Sequence, residues 1–225
     1  MQRALRRPVG RPASAEPNGL ARTAILDAAE QVFGAQGFDG GSMREIAQIA
    51  GIAQSLLHYH YENKLALYEA VFERRAKVIL QVRKEKLEIL FDSRTEVRLE
   101  QVLDVLFMPL ERLIGEDRGK LRYYVQMLAG VTISGHERSI EIVKRFYDPS
   151  AEEFITAFER VLPDLTRERA VWAYLFAIGA RMQAHAPNNR ALRLGADPDT
   201  RRPYELLVEF VAAGIRALRL ETTSS

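Results

Sequence analysis

Residues 42–64, SMREIAQIAGIAQSLLHYHYENK, restrict what this chain can fold into more than any other stretch. Ser42 is placed to N-cap a helix, and Glu45, three residues on, to reach back and complete a capping box. Ile46, Ala47 and Ala50 give that helix a small apolar inner face, and Ala47 is slight enough for a second helix to cross close by. Gly51 follows directly, where a helix ends best in a left-handed residue, and Ile52 buries the turn. A second helix runs from Gln54 to Tyr61, with Leu56, Leu57, Tyr59 and Tyr61 as its apolar and aromatic surface. Two short helices joined by a tight turn containing Gly make the helix-turn-helix layout, whose second helix enters the major groove where such a unit binds DNA. The same layout occurs in proteins that never meet DNA, so by itself it leaves recognition and simple packing both open.

The flanks extend the pattern. Upstream, Thr23 to Gln36 reads as an amphipathic helix ending at Gly37, with Ile25, Ala28, Ala29, Val32 and Phe33 on one buried face and Phe38 covering the end of the small core. Downstream, Asn63 caps a fourth helix predicted to reach Phe91, with Leu67, Val71, Val78, Leu80, Val82, Leu87 and Leu90 as its apolar positions. Such a helix belongs to two domains at once, which divides the chain into 1–19, 20–66 and 67–225. Met1 to Gly19 is rich in Pro, Gly and Arg and reads as a disordered basic arm, with Arg3, Arg6, Arg7 and Arg11 set against Glu16 alone. Its run RRPVGRP resembles an AT-hook, which places Arg7 and Arg11 among the residues expected on DNA; the alternative is a solvated tail.

Composition removes several classes of function. The net charge of +2 on 225 residues rules out a polybasic molecule, so any DNA affinity must come from a local patch. There is no Cys, hence no disulfide, thiolate metal site or Cys nucleophile. No apolar leader follows the N-terminal arginines, and the strongly apolar stretch Ala170 to Ala180 is too short to span a membrane, so a cytoplasmic location is expected. His58 and His60 are two apart and point to different helix faces, His136 and His185 are isolated, and no metal or other cofactor is expected. No phosphate loop, GxSxG elbow or HExxH motif is present, which argues against an enzyme.

Taken together, TAILDAAEQVFGAQGF, SMREIAQIAGIAQSLLHYHY and ENKLALYEAV resemble the N-terminal domain of TetR-type transcriptional regulators, from Arg22 to Val71, with the apolar, Gly and Lys positions in register throughout. The resemblance implies a set of DNA-facing residues. Arg44 matches a position that can contact a base, and its guanidinium suits guanine O6 and N7. Gln54 and Ser55 open the recognition helix, and Gln suits adenine. Ser42 and Lys64 match phosphate contacts, and Tyr59 and His60 match an aromatic pair. His58 stands where the family commonly has tyrosine and Ala53 where it has Ser or Glu, a departure that puts specific contacts at those positions in doubt. Arg22 and Met43 belong to the same expected set. For each residue the alternative is a solvated side chain on a helix face.

The rest of the chain reads as five further helices, Arg94 to Ile114, Leu121 to Ser134, Glu137 to Leu162, Thr166 to Ala186 and Pro203 to Leu220. With no run of alternating β-branched residues, the fold class is all-α with about nine helices. AVWAYLFAIGA, residues 170–180, carries no charge on any face. The last helix has one stripe of Leu207, Val208, Val211, Gly214, Ile215 and Leu218 and a second of Leu206, Phe210, Ala213 and Ala217. Helices apolar over most of their circumference are buried on more than one side, either in a monomer core or against a partner. TetR-type regulators dimerise through their last two major helices, so Trp172, Phe176, Leu207, Phe210, Val211, Gly214 and Leu218 are the expected homodimer interface. Phe107, Tyr123, Tyr124, Met127, Trp172 and Phe176 are the expected lining of an effector pocket, against the alternative of plain core. Arg122 and Arg181 lie beside apolar runs and could pair with an acidic ligand or be snorkelled surface residues.

The resemblance therefore implies a homodimeric regulator, more often a repressor, that reads a double-stranded, near-palindromic operator and responds to a small apolar or amphipathic molecule. The alternative is a DNA-binding dimer with no small-molecule effector, governed by a protein partner or by abundance. A helical enzyme or carrier with an incidental helix-turn-helix is the other rival, and no convergent catalytic set supports it.

Overall fold

The computed structural model describes residues 17–93, 95–108, 110, 112, 118–184, 190–196 and 203–219. Among these residues are eleven α-helices and no strand. In chain order they are α1 (Pro17–Gly40), α2 (Met43–Ile49), α3 (Gln54–His60), α4 (Lys64–Asp92), α5 (Leu99–Phe107), α6 (Arg118–Ile133), α7 (Glu137–Phe146), α8 (Asp148–Val161), α9 (Arg167–Ala184), α10 (Arg190–Arg193) and α11 (Pro203–Ala217). The chain forms two compact units, the first ending at Val71 and the second starting at Phe72, so the junction falls inside α4.

The all-α class holds, and the helix count rises from nine to eleven for local reasons. Glu137 to Leu162 is two helices, because Tyr147 leaves the helical region (φ −123°, ψ −32°) and Pro149 stands in the first turn of α8. Proline is tolerated there but not in a helix interior, where it lacks a donor and clashes with the preceding turn. The other addition is the single turn α10, within the stretch between Pro187 and Arg202 that the sequence predicts to be a connection. The helix expected over Arg94 to Ile114 is shorter. It ends at Phe107 because Met108, which precedes Pro109, is extended (ψ 128°), as a residue before proline is driven to be. At the other end of the chain, α1 begins at Pro17, so residues 17–19 are helical rather than part of the arm. Its regular course breaks at Gly37 (φ 74°, ψ 177°), where the sequence places the end of the helix.

In the first unit α2 packs on α1 and on α3. The expected face of α1 is buried at every position, Ile25, Ala28, Ala29, Val32 and Phe33, together with Ile46 and Ala47 of α2, Leu57 of α3 and Leu67 of α4. Tyr68 meets Phe33 and Phe38 edge-on, each at 5.0 Å between ring centroids. Burial of each large aliphatic or aromatic side chain is worth about 1.5–3 kcal/mol, which is how so small a core holds three short helices.

In the second unit α9 packs on α8 and α11, α5 on α8 and α11, and α7 on α6 and α8. The buried positions of α4 here are Phe72, Arg75, Ala76, Ile79, Arg83 and Leu87, at helical spacing. Val78, expected inside, is exposed: Ile79 takes the inner position of that turn.

Candidate nucleic-acid interface

The turn between α2 and α3 is built as the sequence predicts. Ser42 is extended (φ −121°, ψ 142°), and its Oγ accepts a bond from Glu45 N at 3.1 Å. Of the capping box only this serine half forms, since the Glu45 carboxylate accepts from Gln36 Nε2 at 2.7 Å and ties α2 to α1 instead. At the other end Gly51 is left-handed (φ 67°); Ile52 N donates to Ala47 O at 3.1 Å and Gly51 N to Gln48 O at 3.2 Å. That pair of bonds is a Schellman motif, which satisfies the last carbonyls of α2 and turns the chain sharply into α3. Upstream, Gly41 is required for a different reason. A Cβ there would lie 2.9 Å from Phe33 Cδ1 and 3.0 Å from Val32 Cγ1, so only glycine lets the α1–α2 turn lie against α1.

Helix α3 divides by its own period. Leu57 is fully buried, while Gln54, Ser55, His58 and Tyr59 are exposed. Positions i, i+1, i+4 and i+5 share one side of a helix, so these four side chains form one outward row. Ala53 precedes them, exposed and giving no side-chain cap. Arg44 of α2, Ser42 and Arg22 of α1 are exposed as well, and Met43 is half-buried.

Two of the expected DNA-facing residues sit differently. His60 is half-buried, its Nε2 sealed from solvent with no hydrogen-bond partner, and its ring lies 6.5 Å from that of the buried Tyr61. It is the last residue of α3 and turns toward the core rather than joining the outward row. Lys64, expected on a phosphate, has its ammonium engaged within the protein: Nζ donates to Gly41 O at 3.0 Å and to Asp39 O at 3.4 Å and lies 4.6 Å from the Phe38 ring centroid. Arg7 and Arg11 lie outside the described residues.

The family model described as bacterial regulatory proteins, tetR family, matches residues 25–71, and a second, described as the tetracyclin repressor-like C-terminal domain, matches residues 104–214. The chain belongs to the TetR family. Its members are transcriptional regulators. It is 32% identical over 99 residues to the HTH-type transcriptional activator FasR of Mycolicibacterium smegmatis, covering 43% of this chain and 45% of that one. It is 40% identical over 53 residues to the HTH-type transcriptional repressor BepR of Brucella suis, covering 24% of this chain and 25% of the other. The chain thus spans about half or less of these relatives' length. Among solved structures, a TetR-like transcriptional regulator from Rhodococcus sp. RHA1 superposes with a TM-score of 0.59 at 23% identity, covering 87% of this chain and 96% of that one, a likeness of fold.

In this TetR-family chain the residues expected to line an effector pocket differ in exposure. Phe107, Tyr124 and Met127 are buried in the second unit. Tyr123 is half-buried, and its hydroxyl accepts from Arg122 Nη2 at 2.6 Å, with the guanidinium over its ring. Trp172 and Phe176 are 52% and 61% exposed on the outer side of α9, their ring centroids 5.7 Å apart, beside a shallow hollow that Glu168, Arg169 and Leu218 complete. A second open cleft of about 490 Å³ lies elsewhere, between α4 and α8, with Leu87, Phe91 and Ala157 in its lining.

The expected dimer residues also divide. Leu207 and Val211 are buried in the core of their own unit, and Leu218 is half-buried. The other stripe faces out: Leu206 and Phe210 are 55% and 74% exposed, with Ala213, Gly214 and Ala217 beside them. On α9 the inward positions are the alanines 170, 173 and 177, and the large Trp172, Leu175 and Phe176 point outward. Leu175 was missed from the sequence, although its place between Trp172 and Phe176 could have suggested it. No described helix is long and apolar enough to cross a membrane, and no three His, Asp or Glu side chains gather among the described residues.

Proposed function

We propose that this TetR-family protein is a DNA-binding transcriptional regulator that acts as a homodimer in the cytoplasm. The observation that carries this reading is the outward row Gln54, Ser55, His58 and Tyr59 on α3, with Leu57 anchoring the helix beneath it and Arg44 exposed on α2. A short helix held from below and bare above is what insertion into a major groove requires. Dimerisation is supported by α9 and α11, where Trp172, Leu175, Phe176, Leu206 and Phe210 are large apolar side chains left exposed, of the kind that marks an interface. Gly179 and Gly214 are exposed, and a Cβ added to either meets nothing within 4 Å of its own chain. That room would let a second copy pack closely.

The sense of regulation we assign is repression, relieved by a small apolar or amphipathic effector that shifts the dimer between states of different DNA affinity. The named relatives include both an activator and a repressor, so this assignment rests on the resemblance. Selection of bound duplexes from a random pool tests the reading: an inverted repeat with two equal half-sites supports it, and recovery of no preferred sequence contradicts it.

A further inference from the structure

The cleft between α4 and α8 is walled by two helices of the second unit. At about 490 Å³ it falls within the range of small-molecule sites, roughly 300–1,000 Å³. Its floor is apolar. Leu87 and Ala157 are buried there, one from each helix, and Phe91 is half-buried one turn beyond Leu87. The Phe91 ring already holds a cation, since the Arg160 guanidinium lies 4.1 Å from its centroid.

The walls carry more acid than base. Four of the lining residues are carboxylates and two are cations, Lys84 and Arg160. Glu152 is neutralised from outside, because Arg167 of α9, which is not part of the lining, pairs with it and with Glu159. Glu88 and Asp92 of α4 and Glu153 of α8 remain, and none of the three forms an ion pair or hydrogen bond among the described residues. Glu88 and Glu153 stand on opposite walls and act on each other. Burial raises the pKa of Glu153, Lys84 pulls it down, and Glu88 pushes it up again. Two carboxylates that repel across a partly desolvated cleft are relieved by a cation, and the apolar floor favours one that brings apolar surface with it.

We propose that this cleft seats an amphipathic cation, with its ammonium between Glu88 and Glu153 and its apolar part along Leu87, Ala157 and Phe91. This names a ligand class and a seat for the effector reading given above and rests on it. Lys84 is exposed on a long flexible stem, so its ammonium can turn to solvent as that of the ligand enters. An inorganic cation would leave the floor uncovered. A neutral amphiphile would leave the two acids repelling, and an anionic one would add a third charge of the same sign. The sequence set Arg122 and Arg181 against an acidic ligand instead. Tyr123 holds the first, the second donates to Met108 O, and neither lines the cleft.

The test uses the full-length protein and four probes that share one chain: octylammonium, octyltrimethylammonium, octanol and octanoate. Binding to the native state raises the unfolding temperature by mass action, and calorimetric titration gives the affinity. The expected result is a rise with octylammonium, with octyltrimethylammonium or with both, telling whether the head is hydrogen-bonded or only charge-paired, and little or none with the alcohol or the acid. Glu153→Gln keeps the shape and removes the charge. It should weaken binding of the active cation by about 10-fold, the worth of one hydrogen bond to a charged group. Without ligand it should unfold no earlier than the wild type, since it removes a repulsion. Glu88→Gln, on the opposite wall, should show the same loss of binding. Thr156→Trp, exposed on α8, fills the cleft and should abolish binding. Glu141→Gln, on α7 beside Lys144, should bind as the wild type does. Stabilisation by octanol or octanoate equal to that by the cations, no response to either cation, or wild-type affinity in Glu153→Gln or Thr156→Trp would each overturn the proposal. Operator titration with and without the bound cation tests the effector reading separately: binding in the cleft with unchanged operator affinity would contradict that reading alone.

Discussion

The ammonium of Lys64, at the start of α4, lies 4.6 Å from the centroid of the Phe38 ring, which follows the break in α1. The same Nζ donates to the carbonyls of Gly41 and Asp39, so one cation ties the α1–α2 turn to the first turn of α4. Ser42, which caps α2, is the next residue along that turn. We propose that Lys64 positions Ser42 and Arg44 through this turn.

Lys64→Met keeps the aliphatic stem and removes both kinds of contact. It should lower unfolding stability by about 2 kcal/mol or more, the sum of a cation–π contact and a charge-assisted hydrogen bond. It should also weaken operator binding. Denaturant unfolding and operator titration check the two effects. Lost affinity with unchanged stability would mean that Lys64 acts on phosphate alone.

The glycines separate by environment. Gly51→Ala forces a Cβ into a left-handed residue and should cost about 1–2 kcal/mol. Gly41→Ala meets Phe33 and Val32 and should destabilise as well. Gly130→Ala, in α6 with nothing within 4 Å of the new Cβ, should stabilise by about 0.5–1 kcal/mol. Denaturant midpoints of the three variants check the order, and a destabilised Gly130→Ala would contradict it.

Arg44 is exposed on α2, and the DNA-binding reading proposed above sets it against a base edge. Arg44→Ala should cost about 1–3 kcal/mol on the selected operator and much less on unrelated DNA. Equal loss on both would make it a phosphate contact.

The basic arm carries four arginines and one acid within Met1 to Gly19. If the arms of a dimer lie along DNA, truncation before Pro17 should make the salt slope of log K shallower by about 2–5, at roughly 0.9 per phosphate released. Parallel slopes for full-length and truncated protein would assign it to solvent.

The local parts of this fold were legible because their causes are local. The Ser42 cap, the Gly51 turn, the Asn63 cap, whose Oδ1 accepts from Ala66 N, and the inward Leu57 follow from residues within one or two turns of each other. The break at Pro149 had the same kind of signal and was passed over. What the sequence withheld depends on contacts between distant residues. The bonds of Lys64 reach back more than twenty positions, to Asp39 and Gly41. Two apolar stripes on α11 look alike in sequence, and only packing on α5 and α9 decides that Leu207 and Val211 go in and Leu206 and Phe210 go out. Arg83 reads as an ordinary polar position of a long helix until α5 and α9 close over it.

Phe210 is 74% exposed in the protomer, so a charge there harms the monomer little and the proposed interface greatly. Phe210→Glu should leave the unit folded, since Leu207, Val211 and Ile215 still hold α11, and should break the dimer through an unpaired charge in the contact.

The most direct test of the account is the sedimentation of the wild type and of Phe210→Glu at micromolar concentration, alone and with a selected duplex. The account predicts a wild-type dimer that binds one inverted-repeat duplex with two chains, and a folded Phe210→Glu monomer with much weaker binding. A stable, folded wild-type monomer that binds the duplex as one chain would contradict it.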